Sequence, residues 1–217
     1  MITPRSYLSF SQMTMFEMSP EKYAEHYIYD KKQRVSRNMA YGSQMADGLE
    51  KEEATGDPIL DLMMSRIPKF DIMDKPVESR DGVRTLFERD RLYYHLPVLK
   101  DGKKFIPLMA VPDTAKTDYS AFKEYKTSVR KWTKRMADES GQISFYATTM
   151  WLVTGEIPQD IELVNVPVEY TENGALQPTG ELVRLPTKRS MSDIIKMTTR
   201  MRNAWHGIQD LCEKEIL

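Results

Sequence analysis

An α+β fold, with a mixed central β-sheet flanked by helices on both sides (α/β/α), follows from three features of this 217-residue sequence. The apolar residues recur with a helical period near both ends, and between about Val77 and Ser128 they change to the two-residue alternation of strands. Helix start and stop signals stand at Ser19-Pro20, at Ser140 and Gly155, and at Ser190. Turn signals at Arg80-Asp81-Gly82, Lys100-Asp101-Gly102 and Glu172-Asn173-Gly174 divide the strand-like runs.

Taken in order, Ser11 opens a short apolar-periodic helix through Phe16. Ser19 then caps a second helix through about Tyr29, with Pro20 at the first helical position, where a missing N–H costs nothing. A basic connector containing Lys31, Lys32, Arg34 and Arg37 leads to a helix over Ser43 to Glu53, ended near Gly56-Asp57-Pro58. Ile59 to Met73 fits either helix or strand. Val77–Glu78, Arg84–Arg89, Leu92–Leu96 and Phe105–Val111 read as strands. Two more run around Pro112 to Lys116 and Ala121 to Tyr125, joined at Thr117-Asp118-Tyr119-Ser120. After a basic, Trp-containing connector from Val129 to Met136, a largely apolar helix from about Ser140 to Thr154 ends at Gly155 and is expected to pack on the sheet. Ile161–Tyr170 and Leu176–Leu185 form a hairpin. Ser190, with Asp193 three residues on, caps a final helix through about Ile216. The expectation is one domain over residues 1–217: a helical N-terminal part (1–58), a sheet (77–128), a core helix (140–155), a hairpin (161–185) and a C-terminal helix (190–217).

Composition narrows the function. With 41% hydrophobic and 29% charged residues the chain is an ordinary globular one. No apolar run approaches the roughly 18 residues of a membrane span, and the N-terminal segment lacks the basic region and apolar block of a signal peptide, so a cytoplasmic location is expected. Cys212 is the single cysteine, so neither an intramolecular disulfide nor a four-cysteine zinc or iron–sulfur cluster can form, and a metal would be held by oxygen or histidine. A formal charge of -1 argues against indiscriminate wrapping of nucleic acid but leaves room for a local basic face. His26, His95 and His206 show no ligand spacing and read as structural. The methionine groups Met13, Met15, Met18 and Met63, Met64 read as core filler.

The chemistry concentrates in AVPDTAKTDYSAFKEYKTS, Ala110 to Ser128. If its two strands are neighbours, Asp113 and Glu124 project toward one point, and Lys126, two residues after Glu124, shares that face because strand side chains alternate. Two ionised carboxylates so close repel, which a divalent cation between them would relieve; oxygen ligation favours magnesium or manganese. The Tyr125 carbonyl is a further candidate ligand, and Lys126 would orient or deprotonate a water or neutralise charge on a phosphate. As a bare tripeptide, Glu124-Tyr125-Lys126 equally fits an exposed same-face ion pair. Gln142 and Tyr146 share a helix face at i, i+4, where a capping residue and a core aromatic are the alternative.

The set Asp113, Glu124-Tyr125-Lys126-Thr127 and Gln142-x-x-x-Tyr146 resembles the PD-(D/E)XK nuclease superfamily, and its last part is similar to the RecB-like branch that includes phage-type exonucleases. YLSFSQMTMFEMSPEKYAEHYIY resembles that branch's entry, and YGSQMADGLE its Gly-x-x-x-His-x-x-x-Glu helix, with Ala46 in place of the histidine. The similarity spans about Leu8 to Glu213. It implies a restriction-endonuclease-like core, Mg2+ or Mn2+ as cofactor without an iron–sulfur cluster, and DNA as substrate. The family histidine is a metal ligand, so its absence makes Glu50, one helical turn on, the candidate third ligand beside Asp113 and Glu124; an exposed glutamate within Glu50, Glu52, Glu53 is the alternative. Gln142 and Tyr146 gain an expected role in contacting substrate.

Around this centre Lys116, Lys123, Thr127, Ser128, Arg130, Lys131, Trp132, Lys134 and Arg135 form a candidate DNA-binding run, in which cations track phosphates and an aromatic stacks a base; a solvated charged face is the alternative. The resemblance thus implies an exonuclease of phage or mobile-element recombination and repair, working in a bacterial host's cytoplasm. It admits a single-strand annealing or recombination protein as partner and a homo-oligomer as assembly. An endonuclease on the same core, or a non-catalytic DNA-binding or assembly module, are the alternatives.

Overall fold

Ser9, not Ser11, starts the first helix: β1 (Leu8–Ser9) runs straight into α1 (Phe10–Met18), and Ser9 Oγ accepts from the Gln12 N–H. The computed structural model of the chain describes residues 3–32, 35–51, 54–67, 87–88, 91–97, 105–116 and 118–216. Ser19 caps α2 (Pro20–Tyr23) through the Lys22 N–H, with Pro20 in the first turn. Instead of continuing as an α-helix to Tyr29, the chain widens into one π-helical turn, Ala24–Ile28, where the Tyr23 and Tyr27 rings pack with centroids 4.8 Å apart. The third helix, α3 (Arg37–Lys51), begins six residues before Ser43 because Ser36 Oγ receives the Met39 N–H. Gly42 stays inside it: a side chain there would meet Thr127 Oγ1 at 3.1 Å, so the helix lies against the sheet at that point. Of the ambiguous stretch Ile59 to Met73, residues 68–73 lie outside the described residues; the start is a helix, α4 (Pro58–Ser65), because Asp57 accepts from the Ile59 and Leu60 N–H groups.

The strands form a curled, mixed central sheet in two hydrogen-bonded sections. In the first, β2 (Phe87–Glu88), β3 (Arg91–Pro97) and β4 (Phe105–Ala110) are antiparallel, and β1 lies parallel to β4. The strand expected at Val77–Glu78, much of that at Arg84–Arg89 and the two Asp-Gly turns lie outside the described residues. In the second section, β5 (Thr114–Ala115) pairs antiparallel with β6 (Ala121–Ser128), which runs parallel to β7 (Asp160–Tyr170). Parallel neighbours need a crossover. It consists of α5 (Lys134–Asp138) and α6 (Gly141–Thr154). The connector expected over Val129 to Met136 therefore ends in a helix, started by Thr133 Oγ1 accepting from the Met136 N–H.

The strand expected over Pro112 to Lys116 shrinks to two residues, since Pro112 has no N–H and Asp113 meets β6 with its carboxylate instead of its backbone. The second arm of the predicted hairpin divides at Gly180, whose φ of 84° turns the chain, into β8 (Leu176–Pro178) and β9 (Val183–Thr187), both antiparallel to β7. The last helix, α7 (Met191–Ile216), opens with a reciprocal box: the Ser190 N–H donates to Asp193 Oδ2 at 2.8 Å and the Asp193 N–H to Ser190 Oγ at 3.3 Å.

Alternation along β6 and β7 divides the core. Phe122, Ile161 and Leu163 face α6 and α7 in the larger cluster, while Tyr125, Val164 and Val166 face Met45, Leu60 and Met63 of α3 and α4 in a second one. Met13, Met63 and Met64 are buried in these clusters, whereas Met18 is exposed. Among the described residues no helix is long and apolar enough to cross a membrane.

Candidate active site

The register of β5 against β6 places Thr114 opposite Lys123, so Asp113 lies one step beyond the paired residues, opposite Glu124. Opposed residues in an antiparallel pair project to the same face. Asp113 is exposed as a residue, but its carboxylate turns inward, and Oδ2 accepts from the Tyr125 N–H at 2.5 Å. Glu124 is 3% exposed. Lys126 Nζ donates to Glu124 Oε1 at 2.5 Å and to Gln142 Oε1 at 2.8 Å, and Gln142 Nε2 donates to the Tyr146 hydroxyl at 2.8 Å. One continuous polar chain thus links β6 to the first two turns of α6, at the end where Ser140 caps the helix. Glu124 Oε2 is buried with no hydrogen-bond donor among the described residues, and the Glu124 and Asp113 carboxyls are close enough for their charges to interact.

The electrostatics follow from this crowding. Lost hydration, then the charge of Glu124, holds the Asp113 carboxyl well above its ordinary range; the Tyr125 N–H and Lys126 oppose this only in part. Burial also raises Glu124, with Lys126 pulling it back. Burial alone would lower the Lys126 ammonium, yet its attraction to Glu124, the hydrogen bond between them and Asp113 prevail, and it is held above its usual value. The Tyr146 hydroxyl is pushed well up by burial and then by Glu124, so it stays protonated. The site is therefore a cation held by Glu124 and Gln142 beside a carboxylate pair that resists full ionisation.

The structure brings together Asp113, Glu124, Lys126, Gln142 and Tyr146. The Glu50 side chain, like that of Ala46, lies outside the described residues. Tyr125 turns its ring to the opposite face, into the cluster under α3 and α4. Thr127 shares that opposite face, against Gly42. Lys123 also points there, buried in a 3.0 Å ion pair with Glu162, which Arg184 grips at 2.8 and 2.9 Å; it is not part of a DNA-facing cluster. The basic run is largely neutralised: Lys131 pairs with Glu181 at 2.6 Å, Lys134 with Asp138, and Arg135 with Glu139 at 3.2 Å. Trp132 is half-buried against the larger core cluster and does not stand free as a stacking platform. Ser128 Oγ donates to the Arg130 carbonyl at 2.6 Å and shapes that loop, while Arg130 and Lys116 are exposed.

Beside the polar chain opens a cleft of about 540 Å³, lined by Arg5, Tyr7, His26, Tyr27, Gln142 and Tyr146 among others. Arg5 and Tyr7 of this wall lie more than a hundred positions before Asp113, and sequence spacing carries no signal of their approach. His26, read as structural, stands on the wall, its ring against Tyr27 with centroids 4.5 Å apart. Arg189 was also not singled out: it is buried and donates to the Ala137 and Ser140 carbonyls at 3.0 Å, to Ser144 Oγ at 2.7 Å and to Thr187 Oγ1 at 2.8 Å, fixing the start of α6.

No family model and no curated protein sequence matches this chain. Among solved structures it is similar to an alkaline exonuclease (LHK-Exo) from Laribacter hongkongensis. The identity is 12% and the TM-score 0.44, covering 96% of this chain and 91% of that one. It is likewise similar to LHK-Exo in complex with dAMP, at 12% identity and a TM-score of 0.43, covering 98% of this chain and 95% of the other.

Proposed function

We propose that this chain is a divalent-metal-dependent deoxyribonuclease, an exonuclease that hydrolyses DNA phosphodiester bonds at a strand end. The observation that carries the reading is the buried, unpartnered Glu124 Oε2 beside Asp113, on the face where Lys126 is held by Glu124 and Gln142. A buried carboxylate oxygen without a donor is costly. A hard cation satisfies it, and these donors fit one: two carboxylates, the Tyr125 carbonyl and Glu50 would hold Mg2+ or Mn2+, with water completing the shell, as magnesium prefers. When bound, such an ion polarises a phosphoryl oxygen and lowers the pKa of a coordinated water.

The chain's own residues account for the rest. Lys126 places a fixed positive charge beside the scissile phosphate and stabilises charge that develops there. Gln142 fixes the Lys126 side chain and, through its amide N–H, the Tyr146 hydroxyl, so α6 and β6 act as one rigid frame. The cleft beside them has room for a strand terminus, with the Arg5 cation on its wall for a phosphate. The setting we propose is phage or mobile-element DNA recombination and repair, with an annealing or recombination protein as partner.

A second reading, a non-catalytic DNA-binding module, is favoured by one observation: among the described residues no three acidic, histidine or cysteine side chains converge. Incubating linear and closed circular duplex with Mg2+, for the wild type and Lys126→Ala, decides. Digestion of linear DNA alone, lost by about 100-fold or more in Lys126→Ala, is the expected result. Cleavage of closed circles would make the chain an endonuclease, and binding without Mg2+-dependent cleavage would overturn the nuclease reading.

A further inference from the structure

We infer that Asn165 is a positioning residue that ties the Lys126 end of β6 to the loop carrying Trp132; its catalytic consequence rests on the role proposed for Lys126. In the parallel register Asn165 stands beside Lys126, as Leu163 stands beside Glu124, so all four belong to the face turned toward α6. Leu163 meets the ordinary demand of that face for an apolar side chain. Asn165, with no solvent exposure at all, does not. A buried amide is retained where its donors and acceptor are all engaged.

Here they are. Nδ2 donates to the Lys126 carbonyl at 2.9 Å and to Ser128 Oγ at 3.0 Å, while Oδ1 accepts from the Trp132 N–H at 3.1 Å. A main-chain N–H can only donate and a main-chain carbonyl only accept, so these two partners settle which way the amide points. One residue therefore fixes the backbone from which Lys126 springs and, six residues on, the backbone of Trp132. Any displacement of the loop that leaves β6 reaches Lys126 through this amide.

The test uses Asn165→Asp, which keeps the acceptor for the Trp132 N–H and loses both donors, and Asn165→Ala, which removes all three bonds without adding charge. Asn165→Ala is measured alongside so that a failure of the charged variant to fold leaves the test intact. With linear duplex and Mg2+, both variants are expected to lower kcat about tenfold or more, the scale of a small misplacement of a reacting group, with KM within about twofold of wild type for Asn165→Asp. The second readout needs no activity. Amide hydrogen exchange at Trp132 is expected to accelerate about tenfold in Asn165→Ala and to stay near the wild-type rate in Asn165→Asp. Wild-type exchange at Trp132 in Asn165→Ala, or wild-type kcat in a folded variant lacking both donors, would overturn the inference. If the wild type does not hydrolyse DNA, it is the nuclease reading that fails, and the exchange rates still decide whether Asn165 makes the tie.

Discussion

Asp113 sets the chemistry at the scale of single residues. A carboxyl whose folded pKa is raised above the unfolded one favours folding while protonated, and that contribution is lost as pH rises through the folded value. Asp113 and Glu124 are both raised, so in metal-free protein the ionised pair weakens the fold at neutral and alkaline pH. Asp113→Asn keeps an acceptor for the Tyr125 N–H and removes the charge. With a chelator present it should raise the melting temperature by about 2–4 °C at pH 8, the shift that about 1 kcal/mol produces in a chain of this size. The gain should vanish toward pH 4, where the wild-type pair is protonated; thermal unfolding across pH checks both limbs. What was legible at this scale was the pairing of Asp113, Glu124 and Lys126, because strand alternation and one short connection force it. The tie from Asn165 was not, because its partners come from another strand and a loop.

At the scale of elements, local signals succeeded where a side chain answers the backbone directly. Ser19, Ser140, Gly155 and Ser190 mark helix ends where the sequence places them, since capping involves residues three or four apart. The early start of α3, capped by Ser36, and the split at Gly180, with its positive φ, are local too, but apolar periodicity does not register a single cap or a single turn residue. Gly207 answers to a distant segment instead. Mid-helix glycine costs about 1 kcal/mol relative to alanine, so propensity alone predicts that Gly207→Ala stabilises α7. A Cβ there would lie 2.5 Å from Phe16 Cζ of α1, however, and that ring packs edge-on against Tyr23. Overpacking of this kind costs about 1–3 kcal/mol and should win. Urea unfolding of Gly207→Ala is expected to show a lower midpoint at unchanged slope; a higher midpoint would mean that Phe16 moves aside freely.

Across the whole molecule, charge decides how DNA would be held. The chain is nearly neutral at -1, and Lys131, Lys134 and Arg135 are engaged with acids. Cations held in those pairs displace fewer counterions. DNA affinity measured in Ca2+ should therefore fall with salt at a log–log slope shallower than about −3, the value for three or four phosphate contacts, and a steeper slope would show that these pairs open on binding. By itself the sequence determined the α+β class, most helix ends and the convergence of two acids and a lysine, because each depends on neighbours within a turn or a hairpin. Only the tertiary structure decided which face each cation occupies, that residues near the N-terminus wall the cleft, and that Asn165 and Arg189 brace it. Those depend on contacts between segments tens to more than a hundred residues apart, whose formation the collapse of a common core dictates.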